Sequence, residues 1–141
     1  MKVLFDTNVY VAEALLGAAA TRMIDATVRA GWRIYVSPYL LDELRRVLAD
    51  NLRFPLRLAV LSRNRAFRRA TNIEPAPSRH EVPGDPNDSP ILQAALAAGV
   101  DYLVTNDRHL LSLNPYEGLR IVSMGAYENL LRDQGLLGPN S

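Results

Sequence analysis

Short apolar runs alternate with stretches of helical spacing along most of this chain, and that alternation limits its fold more than any other feature. Residues 2–5 (Lys-Val-Leu-Phe), 33–36, 71–74, 101–105 and 119–122 read as strands, each short and rich in apolar or β-branched residues. Helix signals fall between them. A helix can start from Asn8; a second holds Met23, Ile24, Ala26 and Val28 and stops at Gly31. Ser37-Pro38 opens a third, with Leu40, Leu41, Leu44, Val47 and Leu48 at helical spacing. Pro55 opens a fourth, where Leu56, Ala59, Val60 and Phe67 are expected to form a narrow apolar seam. Further helices are read over 89–98, closed by Gly99, over the short turn 107–111, and over 125–131. Strands separated by helices pair through crossovers, so the expected fold is α/β: a parallel twisted sheet of about four to five strands with helices on both faces. At 141 residues the chain, 1–141, is expected to form one domain, with a proline-rich loop over 75–90 and a short tail at Gly138-Pro139-Asn140-Ser141.

Composition removes several chemistries. The chain has no cysteine, which excludes disulfides, Cys-containing zinc sites and thiol nucleophiles. Its two histidines, His80 and His109, and its one lysine, Lys2, cannot build a multi-histidine cage or a lysine-dependent phosphate loop. Neither a Gly-x-Ser-x-Gly elbow nor a Gly-x-Gly-x-x-Gly loop is present. Carboxylates remain. Asp6, Asn8 and Glu13 interrupt what would otherwise pass for a secretory signal, and no run approaches a membrane span, so a soluble, unprocessed, cytoplasmic chain without membrane contact is expected. Net charge is +1, but residues 45–79 hold nine arginines against Asp50 and Glu74, a local excess of +7. Such a field suits phosphate backbones; it also suits a solvated helix surface.

In a doubly wound sheet, ligands bind where loops leave the C-terminal ends of the strands. Asp6 ends the first strand, Asp107 follows the exit of a later one at Val104-Thr105-Asn106, and Asp88, with Asp85 three residues before it, precedes the helix leading into that strand. On the helix after the second strand, Glu43 lies about 100° from the centre of the apolar face and Asp42 about 160°, so Glu43 borders the buried side. Each acid has a plain structural alternative: an Asx turn for Asp6, helix caps for Asp88 and Asp107, and a surface position for Glu43. Convergence fits those alternatives poorly, because carboxylates gathered at one sheet edge repel unless a cation lies between them. His109 reads as a loop histidine and Trp32 as core or edge packing.

Taken together, Val-Leu-Phe-Asp-Thr-Asn at 3–8, Ser-Pro-Tyr-Leu-Leu-Asp-Glu-Leu at 37–44, Asp-Pro-Asn-Asp-Ser-Pro-Ile-Leu-Gln-Ala-Ala at 85–95, Asp-Tyr-Leu-Val-Thr-Asn-Asp at 101–107 and Ile-Val-Ser-Met at 121–124 resemble the PIN-domain nucleases. The likeness is greatest to the prokaryotic, VapC-like branch described as toxin components of toxin–antitoxin pairs. The resemblance implies that Asp6, Glu43, Asp88 and Asp107 are the four acidic positions of a site for Mg²⁺ or Mn²⁺. Asp85 falls on an extra acid often seen in this branch, and Asn87 stands where many relatives carry another aspartate. Asn8 and Thr105 are then expected to orient the carboxylates. A hard cation held by oxygen ligands suits phosphodiester hydrolysis, and zinc is disfavoured because neither histidine has a spaced partner. Arg45, Arg46, Arg53, Arg57, Arg65, Arg68 and Arg69 are the expected RNA contacts. The implied partners are RNA, a cognate antitoxin and a second copy of the chain, with the apolar segments near 9–16 and 56–67 as contact faces.

Competing readings are separable by residue. A haloacid dehalogenase-type phosphatase needs an acid two residues after the first aspartate, where this chain has Asn8, and a placed lysine, which Lys2 cannot supply. A catalytically silent PIN-like scaffold for RNA or partner binding would be favoured by loss of an acid, and none is missing. A housekeeping RNA-processing nuclease would share the chemistry and lack the antitoxin.

Overall fold

The computed structural model describes residues 1–73 and 89–138. The expected tail lies largely outside them, as does the proline-rich loop apart from Ser89 and Pro90. Five strands, β1 (Lys2–Phe5), β2 (Arg33–Val36), β3 (Thr71–Asn72), β4 (Tyr102–Val104) and β5 (Arg120–Val122), form one sheet in the order β3-β2-β1-β4-β5, every pairing parallel. Seven α-helices connect them: α1 (Thr7–Leu16), α2 (Ala18–Arg29), α3 (Pro38–Arg46), α4 (Leu56–Arg68), α5 (Pro90–Ala98), α6 (Arg108–Leu111) and α7 (Met124–Asp133). Among the described residues no helix is long and apolar enough to cross a membrane.

The central strands are continuous apolar runs because both sheet faces are covered: Val3, Leu4, Phe5, Leu103 and Val104 are fully buried. Tyr127 of α7 packs edge-on against Phe5, Trp32 and Tyr102, and its hydroxyl shares a hydrogen bond with Thr27 of α2. Serines set three helix starts, Ser37, Ser89 and Ser123, each accepting a hydrogen bond from the backbone N–H three residues on. Gly31 and Gly99, at φ 76° and 64°, turn the chain out of α2 and α5 into the next strands.

Three details depart from the sequence expectation. The third helix changes after Arg46 into a wider π turn over Val47–Asn51, closed by Leu52 N–H donating to the Val47 carbonyl, with Leu48 still buried. Strand β3 spans two residues, alongside Tyr35 and Val36. The buried face of α4 is narrower than its apolar composition: Ala59 and Ala66 pack inward, while Leu56 and Phe67 stand exposed and Val60 is half-buried. At 3.6 residues per turn Leu56 and Phe67 lie about 70–90° off the line of the two alanines, which takes them out of the buried face.

Candidate active site

The strand order reverses direction between β1 and β4, and the crevice beyond their C-terminal ends is where an open parallel sheet places its ligand. Asp6 follows β1 at that point. Its backbone N–H donates to the Val104 carbonyl at 2.8 Å, which continues the ladder one residue past the strand and fixes the aspartate against β4. The Asp6 side chain is buried and caps α1: Oδ1 accepts the Thr7 N–H at 2.7 Å, and Oδ2 accepts the Thr105 hydroxyl at 2.7 Å. Each oxygen keeps a further lone-pair direction. Burial pushes the Asp6 carboxyl above its ordinary range; the hydrogen bonds from Thr105 and Thr7 oppose this, and the charges of Glu43 and Asp107 add to it.

Asp107 is placed by the exit of β4. The Thr105 hydroxyl accepts the Asp107 N–H at 3.0 Å while donating to Asp6, so one buried threonine ties the two acids together. Asp107 also caps α6, Oδ1 accepting the N–H groups of His109 and Leu110. The structural role suggested by its sequence position is therefore real, and it leaves Oδ2 without a hydrogen-bond donor among the described residues, in the same electrostatic field as Asp6. At Asp88 the corresponding role is filled otherwise, since Ser89 is the cap of α5. Asp88 and Asp85 lie outside the described residues.

Glu43 comes from α3, half-buried as its helical angle implies, with Asp42 turned outward and paired with Arg45 and Arg46. One Glu43 oxygen accepts the Thr7 hydroxyl at 2.5 Å and the other the Tyr39 hydroxyl at 3.0 Å. Thr7 thus binds Asp6 through its N–H and Glu43 through its hydroxyl. Sequence reasoning alone passes over both Thr7 and Tyr39. The signals for them are Tyr39 four residues before Glu43 on the same helix, and Thr7 inside the Asp-Thr-Asn turn. Asn8, expected to orient the carboxylates, is exposed and its side chain makes no hydrogen bond among the described residues.

Two of the expected RNA contacts face a buried acid within the fold. Arg69 is bound at both terminal nitrogens by Glu13, at 2.8 and 2.6 Å, and Arg65 adds an ion pair to the same carboxylate at 3.4 Å. Glu13 is buried, so these arginines neutralise an internal charge. Arg45 and Arg46 share Asp42, and Arg53, Arg57 and Arg68 are exposed.

Among the described residues no three acidic or imidazole side chains group closely enough to hold a metal ion. The donor chemistry nevertheless suits a hard cation: Asp6 and Asp107 offer carboxylate oxygens with unused lone pairs, oriented by threonine and backbone donors. The parallel α/β domain thus sets the buried Asp6 at the switch point of its sheet, with the half-buried Glu43 and Asp107 in its field. A PIN domain family model matches residues 2–109, more than half of the chain, and the chain belongs to the PIN-domain family, a nuclease-type family. No curated protein and no solved structure shows significant similarity to it.

Proposed function

We propose that this chain is a divalent-metal-dependent endoribonuclease that hydrolyses RNA phosphodiester bonds, the toxin component of a toxin–antitoxin pair acting in the cytoplasm. The observation that carries this reading is the buried Asp6 carboxylate at the β1/β4 crevice, in the field of Glu43 and Asp107. Burying a carboxylate beside two others is costly in a fold that has no use for it. Asp6, Asp107, Glu43 and Asp88, with Asp85 as a further ligand, would hold Mg²⁺ or Mn²⁺. When bound, such an ion stabilises charge on the phosphate oxygens and favours deprotonation of an attacking water.

The chain's own groups supply position. Thr105 and the Thr7 N–H fix the Asp6 rotamer, so its remaining lone pairs need no further ordering to take a ligand. Glu43, gripped by Thr7 and Tyr39, is held at the rim, where it can accept a proton from water. The exposed Arg53, Arg57 and Arg68 would take backbone phosphates. The apolar side chains left exposed on α1 and α4, Leu15, Leu16, Leu56, Leu61 and Phe67, support a homodimer, and the crevice suits an antitoxin that inserts an arginine among its acids.

Incubating the purified protein with a labelled RNA panel tests the reading. Cleavage is expected with Mg²⁺ or Mn²⁺ and none in EDTA. Full activity in EDTA, or RNA binding without cleavage under every metal condition, overturns it, the second outcome favouring a silent scaffold. Light scattering across a concentration series tests the dimer, which a monomeric mass at high micromolar concentration contradicts.

A further inference from the structure

At the opposite end of the sheet from the acids, an open depression of about 300 Å³ lies between the start of β2 and the turn from α4 into β3. Among the described residues β3 pairs with Tyr35 and Val36 alone, and the edge at Arg33 and Ile34 has no neighbouring strand, which leaves the depression open. Arg33, Arg68, Arg69, Thr71 and Trp32 are among its lining residues. Arg69 is neutralised by Glu13. Arg33 and Arg68 are exposed and make no ion pair with any described residue. Lys2 is the register partner of Arg33 in β1, at the strand end where the Asp101 carboxylate accepts the Lys2 N–H at 2.9 Å.

We propose that this depression is an anion subsite that takes a phosphate group, from a nucleic-acid strand or from a free nucleotide. Two arginines that line one concave surface and make no ion pair among the described residues raise the positive potential there, and a phosphate can accept from guanidinium forks of this kind. Thr71 also lines the wall. The volume is at the low end of ligand pockets, about 300–1,000 Å³, enough for a phosphate and little more than one attached sugar or base. Its place one strand length, about 13 Å, from the acidic edge makes it a second anchor for an RNA strand whose scissile bond lies at Asp6. In that respect it rests on the nuclease reading; phosphate binding itself does not.

Trp32 is the chain's only tryptophan, so its fluorescence reports on this wall. Titration with inorganic phosphate at constant ionic strength is expected to give a saturable change, weakened at least tenfold in the Arg33→Gln, Arg68→Gln double variant. Both arginines are exposed, and an unchanged melting temperature would show that the fold is kept. A second arm uses the Asp6→Asn protein and a single-stranded oligonucleotide. If the source is a nucleic-acid strand, adding the two arginine substitutions weakens binding and flattens the salt dependence, by about 0.7 in log–log slope for each phosphate no longer neutralised. A phosphate response with no oligonucleotide effect assigns the site to free phosphate or a mononucleotide. No phosphate response, or an equal one in the double variant, overturns the subsite. RNA cleavage with no phosphate response sinks the subsite alone; a phosphate response in a protein that never cleaves RNA sinks the nuclease reading alone.

Discussion

Replacing Glu13 by Gln tests how the helical layer around α1 is held. Glu13 is 2% exposed, and Arg69, 15% exposed, meets it with two short hydrogen bonds while Thr21 donates a third at 2.8 Å. Removing one member of a buried pair costs about 3–5 kcal/mol, because the remaining charge is stranded. Arg65 is 41% exposed and can turn to water, which places the loss near the lower end, about 3 kcal/mol. For a chain of this size that lowers the melting temperature by about 6–12 °C. The pH dependence has a definite sign. Although burial alone would raise it, hydrogen bonds and charge from Arg69, with Thr21 and Arg65, hold the Glu13 carboxyl below its ordinary 4.5. Its contribution is therefore complete above pH 4.5 and is lost as pH falls through the lower folded value. Thermal melts of wild type and Glu13→Gln from neutral to acid pH should show a gap that closes only below 4.5. A gap under about 1 kcal/mol at neutral pH, or one that persists unchanged into strong acid, refutes the reasoning. Substituting an apolar pair, Glu13→Leu with Arg69→Met, should recover much of the loss.

Three other outcomes follow from the site. Asp6→Asn should abolish RNA cleavage while Asp42→Asn leaves it within about twofold, since Asp42 is a solvent-facing partner of Arg45 and Arg46; equal losses in a cleavage assay would contradict the helical-face assignment. In metal-free buffer at neutral pH, Asp6→Asn should melt higher than wild type, because it removes a buried charge that Glu43 and Asp107 oppose; a lower melting temperature in calorimetry contradicts this. Thr105→Val should cost about 1.5–3 kcal/mol in denaturant unfolding and also reduce cleavage, as it removes the hydroxyl that joins Asp6 to Asp107; an unchanged midpoint would show that the bridge contributes nothing.

The parallel sheet is legible in the sequence because β1, β2, β4 and β5 are short, rich in apolar residues and followed by a helix signal, and the starts at Ser37 and Ser89 have a local cause that sequence displays. The placement of Asp42 and Glu43 is legible for the same reason: helical angle is a local property. The partners of Glu13 are not. Arg69 is 56 positions away, and only the packing of α1 beside α4 brings them together; the one hint is a lone acid in a mostly apolar helix. The division of labour within the arginine-rich segment is hidden on the same ground, since composition counts charges without showing which already face a buried acid. Apolarity alone would put Leu56 and Phe67 in the core, whereas Ala59 and Ala66 occupy the line of closest approach.

Manganese binding by the purified wild-type protein, followed by electron paramagnetic resonance of the free ion, tests the central claim most directly. If Asp6, Asp88 and Asp107 share one cation, saturable binding should fall at least tenfold in each of Asp6→Asn, Asp88→Asn and Asp107→Asn and stay unchanged in Asp42→Asn. Equal binding by wild type and Asp6→Asn would contradict it, because a buried carboxylate at the switch point of the sheet would then have no cation to hold.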